Sequence, residues 1–195
     1  MKNAFTYQRV VAYLIDIIIV GIITSLLTFW IPQSEKYESA IKEEEEYFEL
    51  YTDKKIEINE YVDKVYETRY VLEKETVFSS IVSIVITFAY FATFQYYNGQ
   101  SLGKKLMHIK VVSCDEKEVT HLQLAIRALI INECLFGIVS TIMLFIIKSD
   151  QYLYTVGLVE FIQVIIVIIS LLMIVVRNDK KGLHDILCKT EVVLC

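Results

Sequence analysis

Residues 5–31, FTYQRVVAYLIDIIIVGIITSLLTFWI, form an apolar run that opens on Arg9 and encloses Asp16. A helix rises about 1.5 Å per residue, so residues 10–31 are long enough to cross a hydrocarbon core about 30 Å thick. A chain with such a segment is expected to fold in a membrane. A carboxylate inside that helix costs about 2.5–3.5 kcal/mol on insertion scales and needs a partner or a polar cavity. Arg9, Tyr13 and Asp16 share one helix face. Two readings fit this face: a snorkelling arginine with a structural aspartate, or an ion or proton site.

Three further apolar spans follow, at about 77–97, 122–147 and 152–176, the last two joined by a link short enough to make an antiparallel hairpin. The expected fold is an all-α membrane protein, a four-helix transmembrane bundle. With 195 residues, 55% of them hydrophobic, and a single proline, the chain leaves no room for a separate soluble enzyme domain. The first run ends at Trp30 and Pro32 without a small-residue cleavage pattern, so it reads as an anchor and not as a signal peptide.

Residues 33–76 form an acidic insertion with alternating charge. Ile58, Val62, Val65, Tyr66, Tyr70 and Val71 recur there at helical spacing, predicting an amphipathic helix that runs into the second span. Its expected role is a stalk or cap, since charge runs are usually solvated faces. The net charge of −5 therefore averages over a divided chain. No basic stripe points to nucleic acid.

Lys2 and Arg9, then Lys104, Lys105, Lys110 and Lys117, then Arg177, Lys180, Lys181 and Lys189 all fall on one side of a four-span arrangement. The positive-inside rule makes that side, with both termini, cytoplasmic, places the insertion 33–76 outside, and makes the protein a multi-pass component of the cell membrane. Cys114, Cys188 and Cys195 then lie on the reducing side and Cys134 in the third span, which implies no disulfide framework. The spacings of His184, Cys188, Cys195 and Cys114 are too loose for a zinc site, and no cofactor is expected.

Between the second and third spans, residues 109–113 are β-branched and strand-like, and residues 190–194 supply a matching strand at the other end of the chain. The two are expected to pair under the bundle. Asn98-Gly99 is a turn signal before them.

The ordered set RVVAYLID, GQSLGKKLMHIKVV, Arg127 and GLHDILCKTEVV resembles the RDD family of bacterial membrane proteins, named for an arginine and two aspartates. Arg9 and Asp16 match the first two of those residues, and Asp185 in the LHD motif matches the other aspartate. The resemblance implies a polytopic membrane fold, and sodium/proton exchange is implied for some members. Depth along the helices places Asp16 and Arg127 at one level, which predicts that they pair.

Glu133 and Glu160 fall near mid-membrane on neighbouring helices, with Asn132 and Gln163 as further oxygen ligands. Carboxylates so placed cannot all stay charged without a cation, which is the chemistry of a proton or Na⁺ site. Two functions follow: a small cation/proton transporter, which four spans would build as a homodimer, or a non-catalytic scaffold binding a partner or anionic lipid. No HExxH, GxSxG or phosphate-loop pattern points to an enzyme. His184-Asp185 reads as a helix-terminal cap.

Overall fold

The computed structural model describes residues 2–114 and 118–195. Lys117 lies outside them. Eight helices and one strand pair are seen among the described residues: α1 (Thr6–Thr28), α2 (Glu35–Thr52), α3 (Ile58–Asn98), α4 (Leu102–Leu106), β1 (Ile109–Ser113), α5 (His121–Ile131), α6 (Cys134–Ile146), α7 (Ser149–Val176), α8 (Leu183–Leu187) and β2 (Thr190–Leu194). Helices α1, α3 and α7 are each long and apolar enough to cross a membrane.

The acidic insertion is a helical hairpin. Ser34 caps α2 by accepting from the Tyr37 amide, Lys54 turns the chain with positive φ, and α3 then continues unbroken into its apolar half. Tyr51 stacks on Tyr61 and Arg69 pairs with Glu44, which clamp α2 onto α3. At 41 residues, α3 is about 61 Å long, twice a hydrocarbon core.

The third apolar stretch is not one straight helix. A Thr120–Gln123 capping box starts α5, which stops at Asn132, and α6 leaves at a 65° bend. The cause is local. Asn132 turns its side-chain amide back onto the Ala128 carbonyl, competing with the helix ladder, and Glu133 adopts a left-handed φ of 61° that no α-helix continues.

The two expected strands pair antiparallel, with Val111 opposite Val192, Ile109 opposite Leu194 and Ser113 opposite Thr190. The N-terminal tail joins them: the Ala4 amide donates to the Val192 carbonyl and the Leu194 amide to that of Lys2. The start of α1, the end of α3, the start of α5 and the end of α7 therefore meet at one end of the molecule. There, the Val111 amide donates to the Gly99 carbonyl, Gln123 Nε2 to that of Cys188 and Asn3 Nδ2 to that of Asp179.

This end is built twice. At a constant offset of 81 residues, as from Val111 to Val192, α4 and β1 repeat as α8 and β2. The left-handed turns coincide: Gly99 (φ 67°) with Lys180 (φ 54°), and His108 (φ 54°) with Lys189 (φ 50°). So do the hydrogen bonds. Met107 N to Gly103 O is matched by Cys188 N to His184 O, and Cys195 N to His108 O by Cys114 N to Lys189 O. The strand register is symmetric about Val111 and Val192, so a pseudo-twofold axis passes between them.

Candidate functional site

Two polar assemblies carry the chemistry. The first lies where α1, α4, α5 and α8 meet. Asp185 is fully buried and its carboxylate is shared: Oδ2 accepts from Arg9 Nη1 at 2.9 Å and Oδ1 from Arg127 Nη1. Arg127 Nη1 also donates to Thr190 Oγ1 at 2.8 Å, and Arg9 Nη2 to the Val192 carbonyl at 3.2 Å. The Gly182 amide donates to Asp185 at 3.0 Å, so this aspartate caps α8 as the sequence suggested. Burial alone would raise its carboxyl, but the charges of Arg127 and Arg9 outweigh it and hold Asp185 well below the usual carboxylate range.

His184 lies beside it, with Nε2 3.5 Å from Asp185 and Nδ1 3.0 Å from Ser170 Oγ. Burial, followed by the Arg127 charge, pushes the imidazole down to about 3, so it is neutral at pH 7. Ser170 Oγ, the hydrogen-bond partner of Nδ1, also accepts from the Leu183 amide at 3.1 Å.

The expected pairing of Asp16 with Arg127 does not occur. Asp16 accepts instead from Tyr90 OH at 2.7 Å, from the Gly103 amide at 2.7 Å and from the Ser101 hydroxyl. Depth along the helices was a sound guide to level but carried no lateral information. The short α8 inserts Asp185 between the two arginines, and α4 closes on α1 to satisfy Asp16. That closure needs Gly103, because a Cβ there would overlap the Ala12 carbonyl.

The second assembly is a groove of about 540 Å³ between α3, α6 and α7. It brings together Glu133, Glu160 and Gln163 as the sequence suggested, and adds Glu73, which sequence reasoning had left in the outer insertion. Its walls carry hydroxyls already donating to their own helices: Ser80 to Thr76 O, Ser83 to Ser79 O and Thr141 to Gly137 O. Their remaining lone pairs make the lining rich in acceptors. Among the described residues no three of His, Cys, Asp and Glu converge as a metal site, while Glu73 and Glu160 lie within electrostatic reach of each other.

Asn132 is not part of this lining. It faces back along α5, its Nδ2 on the Ala128 carbonyl and its Oδ1 buried without a partner. The break beside it frees carbonyls of the last turn of α5. Tyr13 OH donates to that of Ile131 at 3.1 Å, so the tyrosine between Arg9 and Asp16 touches the break itself. On the other side of α6 a crevice of about 510 Å³ is lined almost wholly by apolar side chains such as Ile81, Phe88 and Ile142.

Tyr90, Ser101, Gly103 and Thr190 were missed in the sequence. Only the S-x-G spacing before two lysines hinted at a backbone closing on a buried carboxylate. No curated protein and no solved structure matches the chain. The sequence profile of the RDD family matches residues 4–189, spanning both the arginine–aspartate assembly and the groove, and the chain belongs to the RDD family.

Proposed function

We propose that this protein is a small transporter exchanging a monovalent cation for protons, and that the groove is its cation path. The observation that carries the reading is the break at Glu133, which opens into a groove lined by acceptors. Non-helical backbone at membrane depth is tolerated where it lines a polar cavity, and broken helices near the midplane are where carriers bind ions.

Four element ends share one end of the molecule, so α5 and α6 together carry the chain across once, as one broken span. The short segments at that end are rich in lysine and arginine, while the other end has Lys148 and an insertion whose seven basic residues are outnumbered by acidic ones, and this supports a cytoplasmic placement of the first end. Along its helix Glu133 lies about 18 Å from the inner end, and Glu160 and Glu73 lie within electrostatic reach of each other nearer the outer face. Separated carboxylates bind a monovalent ion weakly at several steps, as conduction requires. The pseudo-twofold relates only α4–β1 and α8–β2 at the inner end, so four spans would build such a carrier as a homodimer.

The second reading, a membrane scaffold, is favoured by the α2–α3 hairpin, which extends beyond any bilayer. The test is dissipation of a pH gradient in proteoliposomes on adding Na⁺, K⁺ or Li⁺. Cation-dependent proton flux above that of empty vesicles is expected. Absence of flux from folded protein would contradict the transporter reading and favour the scaffold.

A further inference from the structure

The groove between α3, α6 and α7 carries charge of one sign. Glu73, Glu133 and Glu160 line it, and among the described residues no lysine, arginine or histidine does. Two basic side chains beside Glu73 on α3 are held elsewhere: Arg69 Nη2 pairs with Glu44 at 2.7 Å, and Lys74 Nζ sits 4.5 Å from the centre of the Tyr70 ring. At about 540 Å³ the groove also has the size of a small-molecule site, which runs to about 300–1,000 Å³. A bare alkali ion uses little of that space.

Tyr152 marks where a ligand would sit. It is 2% exposed and its ring is set edge-on against Tyr70, with centroids 5.3 Å apart. Buried tyrosine hydroxyls usually find a partner. Among the described residues this hydroxyl has none, and Tyr152 lines the groove within electrostatic reach of both Glu73 and Glu160. Two carboxylates from α3 and α7 and a phenol oxygen without a partner therefore look onto one space.

We infer that this outer part of the groove binds an organic ammonium ion, its N–H groups on Glu73, Glu160 and the Tyr152 hydroxyl and its apolar body along Val77, Phe136 and Val164. The donor set favours such a ligand over a bound metal. A metal ion takes oxygens that converge on one point, and among the described residues no three of His, Cys, Asp and Glu do so. An alkylammonium carries three N–H donors that point apart and reach separate acceptors. Its hydrocarbon body is buried against walls that a bare ion cannot use. The site rests on the groove alone; movement of the ammonium across the membrane rests on the transporter reading.

The test is calorimetric titration of the full chain in detergent with butylammonium chloride, methylammonium chloride and the uncharged 1-pentanol. Saturable binding of butylammonium is expected, at least about fivefold tighter than methylammonium because of the added methylenes, with no saturable binding of 1-pentanol. Glu73→Gln and Glu160→Gln, each with an unchanged melting temperature, are expected to weaken it about tenfold or more, the loss of one charge-assisted hydrogen bond, and Tyr152→Phe about threefold. No saturable binding of butylammonium to the folded native chain, equal binding of 1-pentanol, or an affinity unchanged in both glutamine variants would overturn the proposal. Na⁺-dependent proton flux in proteoliposomes is read separately. Butylammonium binding without flux would remove the transporter reading and keep the site, whereas flux without butylammonium binding would remove the site and keep the transporter reading.

Discussion

Arg127 on α5 and Asp185 on α8 form a buried ion pair, and the same carboxylate holds Arg9 on α1. Three elements far apart in the chain are thereby tied at one point. Removing the carboxylate leaves two buried guanidiniums without a counter-charge, which costs about 3–5 kcal/mol for breaking such a pair. Asp185→Asn is expected to lower thermal stability in detergent by that order. In a double-mutant cycle, Arg127→Gln with Asp185→Asn should be strongly non-additive. Arg127→Gln with Asp16→Asn should add to within about 0.5 kcal/mol, since these two do not pair.

Gly103 carries a backbone closure that no other residue fits. Gly103→Ala drives a Cβ into the Ala12 carbonyl and is expected to cost at least about 1–3 kcal/mol, read as a loss of melting temperature or of folded yield. At the pseudo-symmetric turns the expectation reverses. Lys180 and Lys189 hold left-handed φ values of 54° and 50°, where an L side chain is strained by about 1–2 kcal/mol. Lys189→Gly should leave stability unchanged or raise it slightly, with the gain limited by glycine's larger unfolded entropy.

The apolar spans were legible because a stretch of about 20 residues without charge has few fates, and the strand pair because its β-branched residues stand out between polar turns. Glu133, Glu160 and Gln163 were brought to one groove by the same depth argument that misassigned Arg127. Depth is a one-dimensional coordinate, and it cannot tell which of two carboxylates at one level lies on the facing side. The break at Asn132 was not readable: both neighbours are compatible with helix, and nothing in the residue types marks the Asn132 side-chain bond to the Ala128 carbonyl or the left-handed φ of Glu133. The repeat left only a faint trace, since KLMHIKVV and DILCKTEVV share little beyond the pair of valines that sits on the axis.

The pH profile of stability follows from two partly buried bases, His184 and Lys104. His184 is held at about 3 in the folded chain against about 6.5 unfolded, so the unfolded state takes up a proton first as pH falls. Stability is expected to decline from pH 6.5 downward. Lys104, at about 7 folded against 10.5 unfolded, makes the unfolded state the better proton binder between those values. Stability should therefore rise from pH 7 toward pH 10, and in Lys104→Met that rise should flatten. Melting temperatures across pH 4.5–10 in one detergent check both signs.

The central claim, that the carboxylate at the helix break is where the cation binds, is tested most directly by the initial rate of Na⁺-driven proton flux for Glu133→Gln beside the native chain. The comparison is made at equal reconstitution and with folding verified for both. A loss of about tenfold or more is predicted, equivalent to about 1.4 kcal/mol of lost interaction at a single step. A rate equal to that of the native protein would contradict the account and move the function away from the groove.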